Sequence, residues 1–135
     1  AYAKLMSMTI NKAGISAEEI DMVCAHAPGS KGDAIEIRAL DKVFKDMHPP
    51  TVSSKSLLGH SMGNCAALEV AVALAAMQNA YIPPNYNSRD IEKIASNQNI
   101  PTAGINQSIN YILKTGSCFG GYLGALIVRK YDKPR

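Results

Sequence analysis

Three places in the sequence combine a reactive side chain with a backbone that only special residues allow. The first is Ala25-His26-Ala27-Pro28-Gly29-Ser30-Lys31-Gly32-Asp33, where a histidine stands at the end of an apolar run. The second is Lys55-Ser56-Leu57-Leu58-Gly59-His60-Ser61-Met62-Gly63, where a histidine precedes a long apolar segment. The third is Gly116-Ser117-Cys118-Phe119-Gly120-Gly121, a glycine loop carrying a thiol and an aromatic ring. A neutral imidazole can donate a hydrogen bond to a developing oxyanion or accept a proton, whereas imidazolium only donates. At the start of a helix the free N–H groups disfavour imidazolium, which bears on His60. Glycines let a backbone turn its N–H groups towards a reacting oxygen. Each place taken alone also has a plain reading: a core histidine, a helix cap with a surface lysine, and a tight turn. Lys55 and Glu36, one helix apart, are expected to pair.

These groups need elements to hold them. The stretch Ala1 to Ala13 reads as a helix ending at Gly14, and Ser16 with Glu19 has capping-box spacing before a short helical turn. Ile20 to Ala27 is a compact apolar run closed by Pro28-Gly29, as expected for a strand covered on both faces. Asp33 and Glu36 repeat the cap spacing and start a helix through about Phe44. Its stripe is Ile35, Ile37, Leu40, Val43 and Phe44. Thr51 to Ser54 is a short strand after Pro49-Pro50, and Lys55 to His60 a loop. A helix over about 61–79, apolar nearly all round, is expected to be buried; Asn64 and Glu69 and its short apolar remainder exclude a membrane span. Tyr81 to Asn85 contains two prolines and suits a turn or an edge. Residues 87–104 read as a surface loop with a little helix. Ile109 to Leu113 and Leu123 to Lys130 read as strands joined by the glycine loop. Alternating strands and helices predict an α/β fold, a mixed sheet packed against helices, in a single domain over 1–135.

Composition narrows the function. The 135 residues carry 14 basic and 11 acidic side chains, and the scattered net charge of +3 argues against nucleic acid. Absence of Trp and only two Phe argue against stacking on bases or sugars as the main activity. Three cysteines without a regular spacing suit a reducing, cytoplasmic setting. A Cys/His metal module from Cys24, His26, His60 and Cys65 lacks a recognisable ligand pattern, and no metal is expected.

The order and spacing of the three places resemble the C-terminal half of β-ketoacyl synthases, condensing enzymes of thiolase-like fold. His26 followed by Asp33 and Glu36, Lys55 with Gly59-His60 and Gly63, and Phe119-Gly120-Gly121 carry the resemblance, with Ile20-Asp21 and Ile82-Pro83-Pro84-Asn85 beside them. It implies a decarboxylating Claisen condensation of malonyl and acyl thioesters on an acyl carrier protein, in fatty acid or polyketide-type synthesis. It implies His26 and His60 as catalytic residues, Lys55 and Glu36 as their support, and Phe119, Gly120, Gly121 and Cys118 as the oxyanion and gate loop. It implies no cofactor and a homodimer of the complete enzyme.

Departures from the family pattern carry expectations of their own. The family's nucleophilic cysteine belongs to an N-terminal half that is absent here, so the chain alone is expected to be inactive and to leave an apolar face bare. Cys24 and Cys65 are expected to be small core residues. The His26 motif is one residue shorter than usual, and an ungapped alignment would place Ala25 at the catalytic position, facing the opposite way. His26 with a shortened loop is expected. Cys118 replaces a glycine and leaves thiolase-like chemistry as an alternative, beside a non-catalytic partner similar to a chain-length factor.

Overall fold

The computed structural model describes residues 1–88 and 98–131. Helix α1 (Tyr2–Lys12) buries Tyr2, Met6 and Ile10, one residue per turn along a single stripe. After Gly14, the Ser16 N–H donates to Glu19 at 2.8 Å, so the expected capping box forms around the turn Ala17–Glu19. Strand β1 (Met22–Cys24) follows, with every residue buried. It is shorter than the run from 20 to 27. The His26 and Ala27 N–H groups leave the ladder and donate to the Glu36 carboxylate at 3.0 and 2.8 Å.

Helix α2 (Asp33–Phe44) has Gly32 at its N-cap and no side-chain cap; Asp33 instead ties down the preceding loop, its carboxylate accepting the Gly29 and Ser30 N–H groups at 3.0 Å each. Glu36 does not take the expected cap role: it is buried, while Ile35 of the expected apolar stripe is 63% exposed. The helix is rotated so that Glu36, Ala39, Leu40 and Phe44 face inward. Strand β2 (Thr51–Val52) is followed by α3 (Lys55–Leu58), a single turn where a loop was expected. Helix α4 (Cys65–Asn79), β3 (Tyr81–Ile82), β4 (Ile105–Asn106), β5 (Tyr111–Ser117) and β6 (Leu123–Arg129) complete the described elements. Part of the expected 87–104 loop, residues 89–97, lies outside the described residues.

The sheet order is β2-β1-β5-β6, with β1 parallel to both neighbours and β6 antiparallel to β5. This is the mixed sheet that the alternation predicted, with the 20–27 run at its centre. Asp21 ties the start of β1 to β5 by accepting the Asn110 and Tyr111 N–H groups at 2.6 and 3.0 Å. Strand alternation divides the core into two. Val23, Ala25 and Leu113 pack with α1 and α2, while Met22, Cys24 and Ile112 pack with α4 and Ile82.

The expectation for α4 needs correction. Only its face of Cys65, Glu69, Ala73, Ala76 and Met77 is buried, whereas Ala66, Ala67, Ala71, Leu74 and Ala75 are exposed. One sheet covers one side of a helix, and no described residue covers the other. Among the described residues no helix is long and apolar enough to cross a membrane.

Candidate active site

The end of β1 is where the two faces of the sheet meet the candidate residues. Ala25 is 2% exposed in the α1/α2 core, so the next side chain, His26, emerges on the α4 side. There its ring lies 5.7 Å from that of His60, centroid to centroid, edge to face. Ala25 and His26 thus lie on opposite faces of the sheet.

Glu36 anchors this turn from the α2 side. Its carboxylate accepts the His26 and Ala27 N–H groups, the Tyr2 hydroxyl at 3.0 Å and the Thr115 hydroxyl at 2.5 Å. Burial, and then the Glu36 charge, push the Tyr2 hydroxyl well above the ordinary phenol range, so it stays a donor. Ala27 is held at a φ of 23°, a strained value for alanine that persists because its N–H is committed to Glu36.

The expected Lys55–Glu36 pair does not form. Glu36 is filled by donors on the other face of the sheet, and Lys55 is ion-paired with Glu69 of α4. Lys55 also donates to the His26 carbonyl oxygen at 2.5 Å and lies 3.4 Å from His26 Nδ1. Lys114 of β5 approaches the other oxygen of Glu69 at 2.8 Å. Glu69 and Lys114 were missed as site residues. Each is the one charged residue in its element's apolar stretch, and a charge on a buried face must be paired. The loop that carries Lys55 is stitched in place: Ser53 donates from its hydroxyl to the Ala27 carbonyl at 3.1 Å, and from its N–H to Asn85 at 2.8 Å.

His60 follows Gly59, whose φ of 75° and ψ of 178° fall in a region essentially confined to glycine. His60 Nδ1 accepts the Met62 N–H at 3.0 Å and stands 3.3 Å from Cys65 Sγ. A nitrogen that accepts an N–H has no proton of its own, which places the neutral ring's proton on Nε2. The same reasoning applies to His26, whose Nδ1 faces the Lys55 ammonium. Partial burial, followed by the Lys55 charge, holds the His26 imidazolium below its ordinary pKa range. Both rings therefore present Nε2–H as a donor. His26 is half-buried and His60 exposed.

The glycine loop between β5 and β6 is not brought onto the imidazoles within this chain. Phe119 is 88% exposed, and Cys118 is exposed with its N–H donating to the Tyr122 carbonyl at 3.0 Å. Gly120 and Gly121 both take a φ of 81°, which gives the loop its reversal. Cys24 is buried, its thiol pushed up to about 11 mainly by burial. Cys65 is buried as well, though it touches the His60 ring. Among the described residues no group of His, Cys, Asp and Glu side chains has the arrangement of a metal site.

Comparison with known proteins bears on the family and the fold. The family described as β-ketoacyl synthase, C-terminal domain, matches residues 1–89. The chain is 36% identical over 114 residues to the 3-oxoacyl-(acyl-carrier-protein) synthase 1 of Buchnera aphidicola, covering 83% of this chain and 28% of that protein. It is 28% identical over 129 residues to a putative polyketide β-ketoacyl synthase 1 of Streptomyces virginiae, covering 93% of this chain and 31% of that one. Among solved structures, the ishigamide ketosynthase/chain length factor superposes with a TM-score of 0.90 at 32% identity, over 96% of this chain and 32% of its own. The chain thus spans less than a third of the length of these relatives. Mixed sheet, flanking helices and these similarities together define an α/β fold of the thiolase-like kind, and the chain belongs to the β-ketoacyl synthase family as its C-terminal domain.

Proposed function

We propose that the chain supplies the two-histidine wall of a decarboxylating condensation site, with His26 and His60 as the catalytic pair. The observation that carries this reading is the 5.7 Å edge-to-face contact between the rings, each with Nδ1 occupied and Nε2–H free to donate. A malonyl thioester losing CO2 breaks the bond between its methylene carbon and its carboxylate. The electron pair moves through the methylene carbon onto the thioester oxygen, forming an enolate. Two neutral N–H donors stabilise that oxygen as its charge grows, and they need not give up their protons. The enolate carbon then attacks an acyl thioester held on a cysteine; the new carbon–carbon bond forms as the cysteine thiolate leaves.

The cysteine is not one of the three in this chain on this reading. Cys24 is buried with a raised pKa, Cys65 is buried at the start of α4, and Cys118 sits in the exposed glycine loop. The nucleophile comes from the part of the relatives that this chain does not span, and the chain alone forms no β-ketoacyl product. That same part covers His60, Phe119 and the exposed face of α4, and so excludes water from the enolate. Lys55 and Glu36 support His26 from opposite faces of the sheet, and the Phe119-Gly120-Gly121 turn with Cys118 serves the acyl thioester. The substrates are acyl and malonyl groups on an acyl carrier protein, the complete enzyme is a homodimer without cofactor, and the three free thiols suit a cytoplasmic setting.

The close contact between the histidines favours this reading over a non-catalytic chain-length factor or a thiolase-like use of Cys118. The test is reconstitution with malonyl and acyl carrier protein. The chain by itself should yield no β-ketoacyl product. The same chain within a polypeptide carrying the relatives' nucleophile segment should yield it. A product formed by the isolated chain, or dependent on Cys118 as the acylated residue, contradicts the reading.

A further inference from the structure

We infer that Lys114 is a positioning residue: by holding Glu69 from the side away from Lys55, it keeps the His26 imidazole neutral and ready to donate. This rests on the proposed function only for its catalytic meaning; the electrostatic claim concerns the chain itself.

The α4 side of the sheet buries two ammonium groups against one carboxylate. Lys55 pairs with one oxygen of Glu69 and Lys114 stands 2.8 Å from the other, and all three side chains are at most 5% exposed. Glu69 already has its counter-charge in Lys55. A second buried ammonium therefore adds desolvation cost without being needed to neutralise the carboxylate. Lys114 is not well placed as a hydrogen-bond donor either. It donates to its neighbour Thr115's carbonyl oxygen, and Glu69 Oε2 has the ion pair at 2.8 Å without an aligned donor. What Lys114 contributes is charge. A buried charge that the fold does not need for stability is a mark of function.

The effect falls on His26. From α2, Glu36 accepts its N–H; from α3, Lys55 faces its Nδ1; from the following loop, the His60 ring packs on it. Glu69 of α4 and Lys114 of β5 lie behind Lys55. Both carboxylates favour an imidazolium, and both lysines oppose it. Beside Lys55, the Glu69 carboxylate works against the ammonium field at the ring. Lys114 offsets Glu69 and leaves that field in force. The other buried carboxylate, Glu36, is saturated by neutral donors on the far face of the sheet.

The test is an NMR titration of the full chain labelled at its three histidines, with His26 assigned by a His26→Gln variant. Lys114→Met should raise the His26 midpoint, and Lys114→Arg should leave it near wild type. The exposed His48 serves as the internal control. An unchanged His26 midpoint in folded Lys114→Met overturns the inference. Failure of both Lys114→Met and Lys114→Gln to fold overturns it too, since it holds that the charge is dispensable for folding. The titration needs no substrate. A raised midpoint in a chain whose complete enzyme shows no condensation would leave the inference standing and sink the functional reading instead.

Discussion

The Lys55 ammonium donates to the main-chain oxygen of His26 at 2.5 Å while standing 3.4 Å from the same residue's ring Nδ1. One cation thus fixes both the backbone and the tautomer of the first histidine. The geometry follows from β1 ending at Cys24: just beyond it the His26 and Ala27 N–H groups turn towards Glu36 and the His26 carbonyl towards Lys55.

Glu69 is expected to be the residue on which stability depends most in this cluster. Glu69→Gln leaves two buried ammonium groups without a counter-charge, and should lower unfolding free energy by about 3–5 kcal/mol. Urea unfolding followed by circular dichroism measures it. A loss under about 1 kcal/mol would mean that the pairs behave as exposed ones.

Acid should weaken the fold partly through His26. Its pKa in the folded state lies below the ordinary value, so on acidification the unfolded chain takes up the proton first. The His26 contribution is complete above pH ~6.5 and is lost as pH falls through the lower, folded-state pKa. His26→Gln should therefore flatten the stability-versus-pH curve just below pH ~6.5 relative to wild type. Superimposable curves would contradict the assigned shift.

The thiols should sort by burial. Iodoacetamide should label Cys118 in the native chain and spare Cys24, whose thiol is buried and raised to about 11. Mass spectrometry after digestion reads the sites, and urea should expose all three. Labelling of Cys24 under native conditions, at a rate matching Cys118, would refute the packing described.

Gly59→Ala tests the backbone that presents His60. An added Cβ meets nothing within 4 Å, so the penalty is conformational rather than steric contact with neighbours. It should cost about 1–3 kcal/mol, or relax by moving His60 and weakening the cross-peaks between the two imidazoles. Wild-type stability with the ring contact intact would show that the glycine-only geometry is not required.

Much of this fold was legible because its signals are local. The Ser16/Glu19 capping box, the apolar run at residues 20–27 and the Gly116–Gly121 reversal each declare themselves within a few residues. That Ala25 and His26 face opposite ways was also legible, since strand alternation sends successive side chains to opposite faces. The partner of Lys55 was not. Glu36 and Glu69 are both within reach in sequence terms, and only the packing of α2 and α4 on opposite sides of β1 separates them. Ile35 and Glu36 exchange inside and outside for a similar reason: the hydrogen bonds of Glu36 to Tyr2, Thr115 and two backbone amides outweigh a stripe that propensity alone would bury. The exposed side of α4 lies beyond any local pattern, because what covers a helix is set by neighbours and not by its own residues.

Release of CO2 from a malonyl thioester by the complete synthase, with and without each imidazole, is the most direct test. His26→Ala and His60→Ala should each slow decarboxylation by about 10²–10³-fold, as expected for loss of one donor to a developing oxyanion. If both donors serve one oxygen, as proposed, the double variant should fall less than the product of the two losses. Undiminished CO2 release by the folded His26→Ala enzyme would contradict the account.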